Sequence, residues 1–449
     1  MNGQRRRLRR RLWLTLPIVV ALVVTACSSN TSSTGGGTTG PTGVPTGDVT
    51  LTMWIGYTPP PPVNESFEYL SIQDMVKRFE AQYPNIHINL EYVNSDNALT
   101  KATVALQGGK QPDISYQYGT NMPQLASAPK LVDLTQRVQD PSFDWNDFFE
   151  GERAVATVDG RVLGIPALVD NLAIVYNKDL FAKAGLPTPS PDWTWDDVRT
   201  AAKAITDPTN KIFGLVFPAD GSETMVWQYE AMLWEAGGDI LNADNTQAAF
   251  NSAAGVRAAT MLQQMQQDGS LYLDYHPDSG QYGNLFNSGN IGMLITGPWD
   301  LSGFPDVNYG VQQMPSFDPG GSHITIAGPD NWVIFDNGPD NVNASWAFLK
   351  FMADPQNVLK DDLATSHLPI RSSVEQLPGF ALFDKKYPGV GTFAENLKNV
   401  TKARPQIEQY PEVSSDLGQA LVSILQGQAS PQDALDQAAT QANGVLAAP

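Results

Sequence analysis

The chain has 449 residues, a formal net charge of −19 and a single cysteine. That length exceeds what one hydrophobic core usually serves, so two domains are expected, and one cysteine excludes an intramolecular disulfide. The acid excess disfavours nucleic acid and anionic lipid headgroups as partners.

Residues 5–11 read RRRLRRR, six arginines with no acid, and residues 12–26 are almost wholly apolar, LWLTLPIVVALVVTA. Fifteen residues at roughly 1.5 Å each fall short of a bilayer core of about 30 Å. A basic start, a short apolar stretch and small residues before a cut describe a signal peptide over residues 1–26. The sequence VTAC ending at Cys27 resembles a bacterial lipobox. That resemblance implies a lipid on the Cys27 thiol, the group whose thiolate is nucleophilic enough to accept one. Acyl chains contribute about 0.8 kcal/mol per buried CH2, so two or more hold a protein on a membrane. Residues 27–47 are rich in Gly, Thr, Ser and Pro without hydrophobic periodicity, which predicts a flexible leash. The expected location is the extracytoplasmic face of the cell membrane, reached through the lipid anchor.

From residue 48 the pattern changes. DVTLTMWIGY alternates as a strand. SIQDMVKRFEAQYP places Ile72, Met75, Val76 and Phe79 at helical spacing, with Ser71 as an N-cap and Pro84 as a stop. NIHINLEYV alternates again, NALTKATVALQGG is a helix stopped by Gly108 and Gly109, and PDISYQY is a strand. Strand, helix, strand, helix, strand within such a short length indicates a mostly parallel α/β sheet. The run GRVLGIPALVDNLAIVYNKDLFAKAG gives an apolar strand pair and a short helix, and TWDDVRTAAKAI a helix capped by Thr194. KIFGLVF is a strand. TMVWQYEAMLWEAGGDIL and AAGVRAATMLQQMQQDG are helices closed by glycines, and IGMLITGPWD is a strand entering a Gly-Pro turn. NYGVQQMP and NWVIF are strands, and from Ala344 onward the chain is mainly helical. No internal repeat is present.

The order LTMW, KQPDISYQYG, GIPALVDNLAIVYNKDLFAKAGL, TWDD, GNIGMLITGPWD, YGVQQMP and ASWAFLKFMADP resembles the extracellular solute-binding proteins of ABC importers. More narrowly it is similar to the carbohydrate-binding lipoproteins related to maltose-binding protein. The resemblance covers nearly all of residues 48–445. It implies a periplasmic-binding-protein-like α/β fold of two lobes joined by a hinge with crossing segments. The expected lobes are 48–168 plus 329–354 and 169–328 plus 355–449. It also implies binding without catalysis, delivery to the permease subunits of an ABC transporter, a monomer and no cofactor.

A neutral sugar offers hydroxyls and an apolar ring face, so its site needs planar polar groups and aromatic rings. Open α/β sheets place ligands beyond the carboxyl ends of strands. Gln117, Thr120 and Asn121 follow a predicted strand; a plain turn is the alternative. Asp170 and Asn171 interrupt the apolar run IPALVDNLAIVY, and an unpaired buried carboxylate is costly. The resemblance puts this pair at the first crossing between lobes, accepting a sugar hydroxyl; a hinge turn satisfied by backbone is the alternative. In ITGPWD, Gly297 and Pro298 turn the chain out of a buried strand and deliver Trp299 and Asp300; the resemblance makes Trp299 the platform under a sugar ring, and a tryptophan capping the core of the C-terminal lobe is the alternative. Trp54 closes the first strand and suits either cleft or core. Trp227 and Trp234 share one helix face, which is more often core packing; Trp227 lies at the helix start nearer the cleft, where Glu230 could accompany it. Asn331 and Trp332 lie at the expected second crossing, and Arg371 where the resemblance brings the C-terminal part to the cleft.

The histidines His87, His276, His323 and His367 are far apart without ligand spacing, so no metal is expected. Neither a phosphate-binding GxxxxGK[ST] loop nor a GxSxG elbow is present. Two other readings stay open. The same fold could bind a glycerophosphodiester, a polyol or another polar metabolite, although an anionic head needs more cations than Arg371. A secreted glycoside hydrolase would need two carboxylates about 5 to 10 Å apart across the cleft, for which Asp170 and Asp300 are the one nominated pair.

Overall fold

The computed structural model describes residues 43–59 and 67–447. The expected signal peptide, Cys27 and most of the leash lie outside the described residues. The leash was expected to run to residue 47, yet its last residues are held: Asn85 donates to the carbonyls of Pro45 and Gly47 at 2.9 and 2.8 Å. No described helix is long and apolar enough to cross a membrane.

The first half builds one sheet. Strand β1 (Val49–Ile55) is followed by α1 (Phe67–Gln82), β2 (Ile86–Tyr92), α2 (Ala98–Gln107) and β3 (Ile114–Tyr118). β1 pairs in parallel with both β2 and β3, as the alternating βα pattern requires. Helix α1 begins before Ser71, which therefore does not cap it. Its hydroxyl instead hydrogen-bonds Asp361 from a distant helix, so a tertiary partner overrides the local capping signal. Gly109 closes α2 with φ of 62°, a left-handed backbone that favours glycine. Then come α3 (Met122–Leu125), α4 (Glu150–Val155) and the short hairpin β4 (Thr157–Val158) with β5 (Arg161–Val162).

Strand β6 (Ile165–Asn171) stays in the first sheet, and after Leu172 alone the chain enters β7 (Ala173–Asn177) of a second sheet. The second sheet grows through α5 (Lys178–Lys183), α6 (Trp195–Ile205), β8 (Phe213–Pro218), α7 (Glu223–Glu235), α8 (Ala253–Gln267), β9 (Leu271–Asp274), α9 (Gln281–Asn287), β10 (Ile291–Thr296) and β11 (Tyr309–Gln312). Its order is β11-β7-β10-β8-β9, with β8 parallel to β9 and β10. The expected Thr194 cap is present as a capping box with Asp197.

The chain returns to the first sheet in β12 (Ala327–Ile334), antiparallel between β3 and β6, giving the order β2-β1-β3-β12-β6. The two crossings lie side by side, Ala327 opposite Asn171. Helices α10 (Pro339–Met352), α11 (Pro355–Thr365), α12 (Phe383–Lys386), α13 (Val390–Asn396), α14 (Tyr410–Leu425) and α15 (Pro431–Leu446) complete the chain. Of these, α11 packs on α1, although residue 355 onward was expected with the second lobe, whereas α14 and α15 pack on α7 and α8 behind the second sheet. Two large cores result, one centred on the helices of the second sheet and one on the first sheet. The fold is periplasmic-binding-protein-like, of the two-lobe solute-binding kind.

Candidate functional site

Between the sheets lies a cleft of about 340 Å3. The first sheet supplies Tyr57 after β1, Tyr116 and Tyr118 on β3, Asp170 on β6 and Asp330 on β12. The second supplies Pro218 and Asp274 at the ends of parallel strands, Glu223, Trp227 and Gln228 from the first turns of α7, and Trp299 after β10. This is the carboxyl-end position that open α/β sheets reserve for ligands.

The two tryptophans converge, their ring centroids 5.8 Å apart and inclined by 32°. Each is held there by glycine. A Cβ on Gly297 would sit 1.8 Å from the Trp299 ring, and one on Gly328 would stand 3.2 Å from the Trp227 ring. Trp299 thus lies at the cleft, and a second indole joins it.

The floor of the cleft is a polar network whose carboxylates are paired, although His367 Nε2 makes no hydrogen bond. Asp170 is 1% exposed. It accepts from Leu368 N at 3.1 Å and from His367 Nδ1, so both oxygens are paired. His367 Nε2 lies 3.3 Å from Glu68 Oε1. The Asp170 and Glu68 carboxylates outweigh burial and hold the imidazole well above its ordinary pKa. Asp330 accepts from Tyr116 OH at 2.5 Å and Gly119 N at 3.0 Å. Burial pushes its carboxyl up to about 6, against the pull of Arg404 and these hydrogen bonds. Arg404 Nη1 donates to Glu223 Oε1 at 2.7 Å, which also accepts from Tyr410 OH at 3.0 Å.

The wall made by the second sheet is different. Trp227 Nε1, Gln228 Oε1 and Asp274 Oδ2 are buried without a hydrogen-bond partner in the protein. Asp274 is 3% exposed, and burial raises its pKa. Buried polar atoms are nearly always paired, so three together on one cleft wall form an array able to receive a polar ligand.

Of the nominated residues, the structure gathers Asp170, Trp227 and Trp299 at this cleft and places the others elsewhere. Trp54 points to the opposite face of β1, 5% exposed, with Lys101 Nζ 4.3 Å over its ring and its Nε1 donating to Glu91 at 2.9 Å. Gln117 faces away because Tyr116 and Tyr118 take the cleft side of β3; it donates to Ser115 Oγ and accepts from Asn121. Thr120 is buried on the far side of the crossing strands. Asn171 is the hinge lock of the pair, donating to Phe393 O at 2.9 Å and accepting from Asn396 at 3.1 Å. Glu230 is fully buried one turn below the cleft, and burial with the Glu223 charge raises its pKa. Asp300 accepts from Thr296 at 2.6 Å and Tyr282 at 3.1 Å and is pushed by burial up to about 7. Asn331 packs against Gly164, and Trp332 joins Tyr57 and Tyr116 in an aromatic cluster beneath the floor. Arg371 is buried over the Phe148 ring, bonded to Asp147 and to the carbonyls of Ala353, Phe143 and Asp144.

Sequence reasoning missed Tyr57, Tyr116, Tyr118, Glu223, Gln228, Asp274, Asp330, His367 and Arg404. The paired tyrosines flanking Gln117 were the available signal, since period-2 alternation gives both of them the face that Gln117 leaves. Among the described residues no group of His, Cys, Asp and Glu could hold a metal ion.

Residues 68–358 match the family described as bacterial extracellular solute-binding protein. The sn-glycerol-3-phosphate-binding periplasmic protein UgpB of Escherichia coli (strain K12) is 26% identical over 405 residues, covering 84% of this chain and 89% of that one. Among solved structures, an ABC transporter solute-binding protein from Thermotoga lettingae TMO bound with alpha-D-tagatose is 26% identical with a TM-score of 0.76, covering 89% of this chain and 100% of that one. The cyclic alpha-maltosyl-1,6-maltose binding protein from Arthrobacter globiformis is 28% identical with a TM-score of 0.68, covering 89% and 99%. Fold, cleft and likeness agree: the chain belongs to the bacterial extracellular solute-binding protein family and is a solute-binding protein of an ABC transporter.

Proposed function

We propose that the solute is a neutral carbohydrate, an oligosaccharide, held between the two lobes and passed unaltered to the permease. The observation that carries this is the pair of converging indoles beside three unpartnered polar atoms, Trp227 Nε1, Gln228 Oε1 and Asp274 Oδ2. Rings cover a sugar's C–H face. One N–H donor and two acceptors suit hydroxyls, which both give and take hydrogen bonds. Sugar contacts to both walls favour the closed form over the open one by their differential affinity.

The relative that binds sn-glycerol-3-phosphate keeps a second reading in view. Charge weighs against it. Glu68, Asp170, Glu223, Asp274 and Asp330 line the cleft, while its cations Arg404 and His367 are engaged with Glu223 and Asp170. A phosphate would enter a field of carboxylates without a free counter-charge. Hydrolysis is disfavoured because Asp300, the nominated partner of Asp170, hydrogen-bonds Thr296 and Tyr282 instead of lining the cleft. The protein works as a monomer, tethered to the extracytoplasmic membrane face through a lipid on Cys27.

Calorimetric titration with maltose, maltotriose, cellobiose and trehalose, against sn-glycerol-3-phosphate as counter-ligand, tests the reading. A sugar binds, and Trp299→Ala weakens it at least about tenfold, since a stacked ring contributes about a kcal/mol or more. Binding of the phosphate alone, or an unchanged affinity in Trp299→Ala, overturns it. Labelled oligosaccharide remains intact; turnover would make the protein an enzyme. Cys27→Ser releases the protein from membranes with sugar affinity unchanged.

A further inference from the structure

The crossing strands have two sides. Asp170 of β6 and Gly328 and Asp330 of β12 face the cleft. The residues between and beside them, Val169, Ala327 and Pro329, face the opposite way and floor a second cavity of about 350 Å3. That volume nearly equals the cleft's own and falls in the range of about 300–1,000 Å3 usual for small-molecule sites. Helix α4 and the segment 397–406 close it.

The lining is mainly apolar, with Phe149, Val155, Leu397 and Val400 around the same floor. Thr120, Lys402, Arg404 and Gln406 are also at the lining, but one polar side chain stands out. Glu152 lines the cavity at 2% exposure, and its Oε2 has no hydrogen-bond partner in the protein. Burial, reinforced by the Asp330 and Asp170 carboxylates beyond the floor, raises its pKa well above the ordinary value. The two cations at the cavity are already engaged. Lys402 Nζ donates to Asp239 at 2.8 Å and to Gly238 O at 3.0 Å, and Arg404 is paired with Glu223.

We propose that this rear cavity is a second binding site, for a small neutral amphiphile whose compact aliphatic body fills the apolar lining and whose single hydroxyl pairs with Glu152. The unpartnered Oε2 is an acceptor in either protonation state, and a hydroxyl can donate to it. An anion would find no unengaged cation among the lining residues. A polyhydroxylated guest would leave most of its hydroxyls unpaired against aliphatic walls. The polar indole-lined cleft and the apolar rear cavity therefore select opposite chemistries from the two faces of the same strands.

The probe is 1-hexanol, titrated into the full chain by ligand-observed NMR. Saturable binding of one equivalent is expected. Glu152→Leu, which keeps the bulk and removes the polar group, lowers affinity at least fivefold, and Glu152→Gln stays within twofold of the parent. Ala403→Trp, at an exposed lining position, blocks hexanol even if the Glu152 variants fold poorly. Trp299→Ala, in the cleft, leaves hexanol affinity unchanged. Absence of saturable binding, binding indifferent to both Glu152→Leu and Ala403→Trp, or binding lost in Trp299→Ala overturns the proposal.

Discussion

The floor and the second-sheet wall of the cleft are both polar and both buried, yet they are built on opposite plans. On the floor Asp170 and Asp330, and where α7 begins Glu223, have their oxygens paired within the protein, through His367 and Leu368, through Tyr116 and Gly119, and through Arg404, Tyr410 and Ser414. On the wall, Trp227, Gln228 and Asp274 each keep a buried polar atom without a partner. A paired buried network fixes geometry, whereas an unpaired one is a debt that a ligand settles. The difference assigns stability to the floor and affinity to the wall, and substitutions can break that division.

The largest effect belongs to the paired network. The Arg404 and Glu223 side chains are 6% and 15% exposed. Arg404→Ala leaves a buried carboxylate without its counter-charge, and losing one partner of a buried pair costs about 3–5 kcal/mol. Equilibrium denaturation in urea measures it, and a loss under about 1 kcal/mol would show that the pair is not structural. On the wall the expectation reverses. Asp274→Ala removes Oδ2, which no protein group uses, together with the Oδ1 that accepts from His276 N at 3.0 Å, so the loss of unfolding free energy is held to the roughly 0.5–1.5 kcal/mol of one hydrogen bond. Sugar affinity falls about ten- to a hundredfold, the equivalent of the roughly 1.5–3 kcal/mol of a hydrogen bond to a charged group. A stability loss as large as that of Arg404→Ala would erase the contrast between the two regions.

Much of this was legible before any coordinates. Alternation and glycine stops placed β1, β2, α2 and α6, and the turn Gly297–Pro298 announced Trp299. The acid in IPALVDNLAIVY drew attention because a buried run has little use for one, and Asp170 does meet the cleft while Asn171 locks the hinge. What stayed hidden was parity. The strand β3 is almost wholly buried on both faces, so its sequence does not say which of Tyr116 and Gln117 looks into the cleft. On β12 the cleft side runs through Gly328 and Asp330, so period-2 alternation turns Asn331 away, and Trp332 packs against Tyr57 and Tyr116 beneath the floor. His367 and Arg404 lie outside any helix or strand, where no periodicity speaks. Their roles come from partners 197 and 181 residues away.

The finest test of the division lies at its edge, where Asp300 is paired like a floor residue but sits beside the wall's Trp299. Burial holds its folded-state pKa up at about 7, even though Thr296 and Tyr282 donate to it. The sign follows from linkage: the folded form binds this proton more tightly than the unfolded chain, whose aspartate titrates near 4. The stabilisation is complete below about pH 4 and is lost as pH rises through 7. Between pH 6 and 8 the loss is about 1 kcal/mol, and Asp300→Asn, which stays neutral at every pH, removes that part of the slope. Urea denaturation of parent and variant across this range decides it. Parallel pH profiles would mean that Asp300 ionises as freely folded as unfolded, and that its pairing with Thr296 and Tyr282 does not hold it in the paired class.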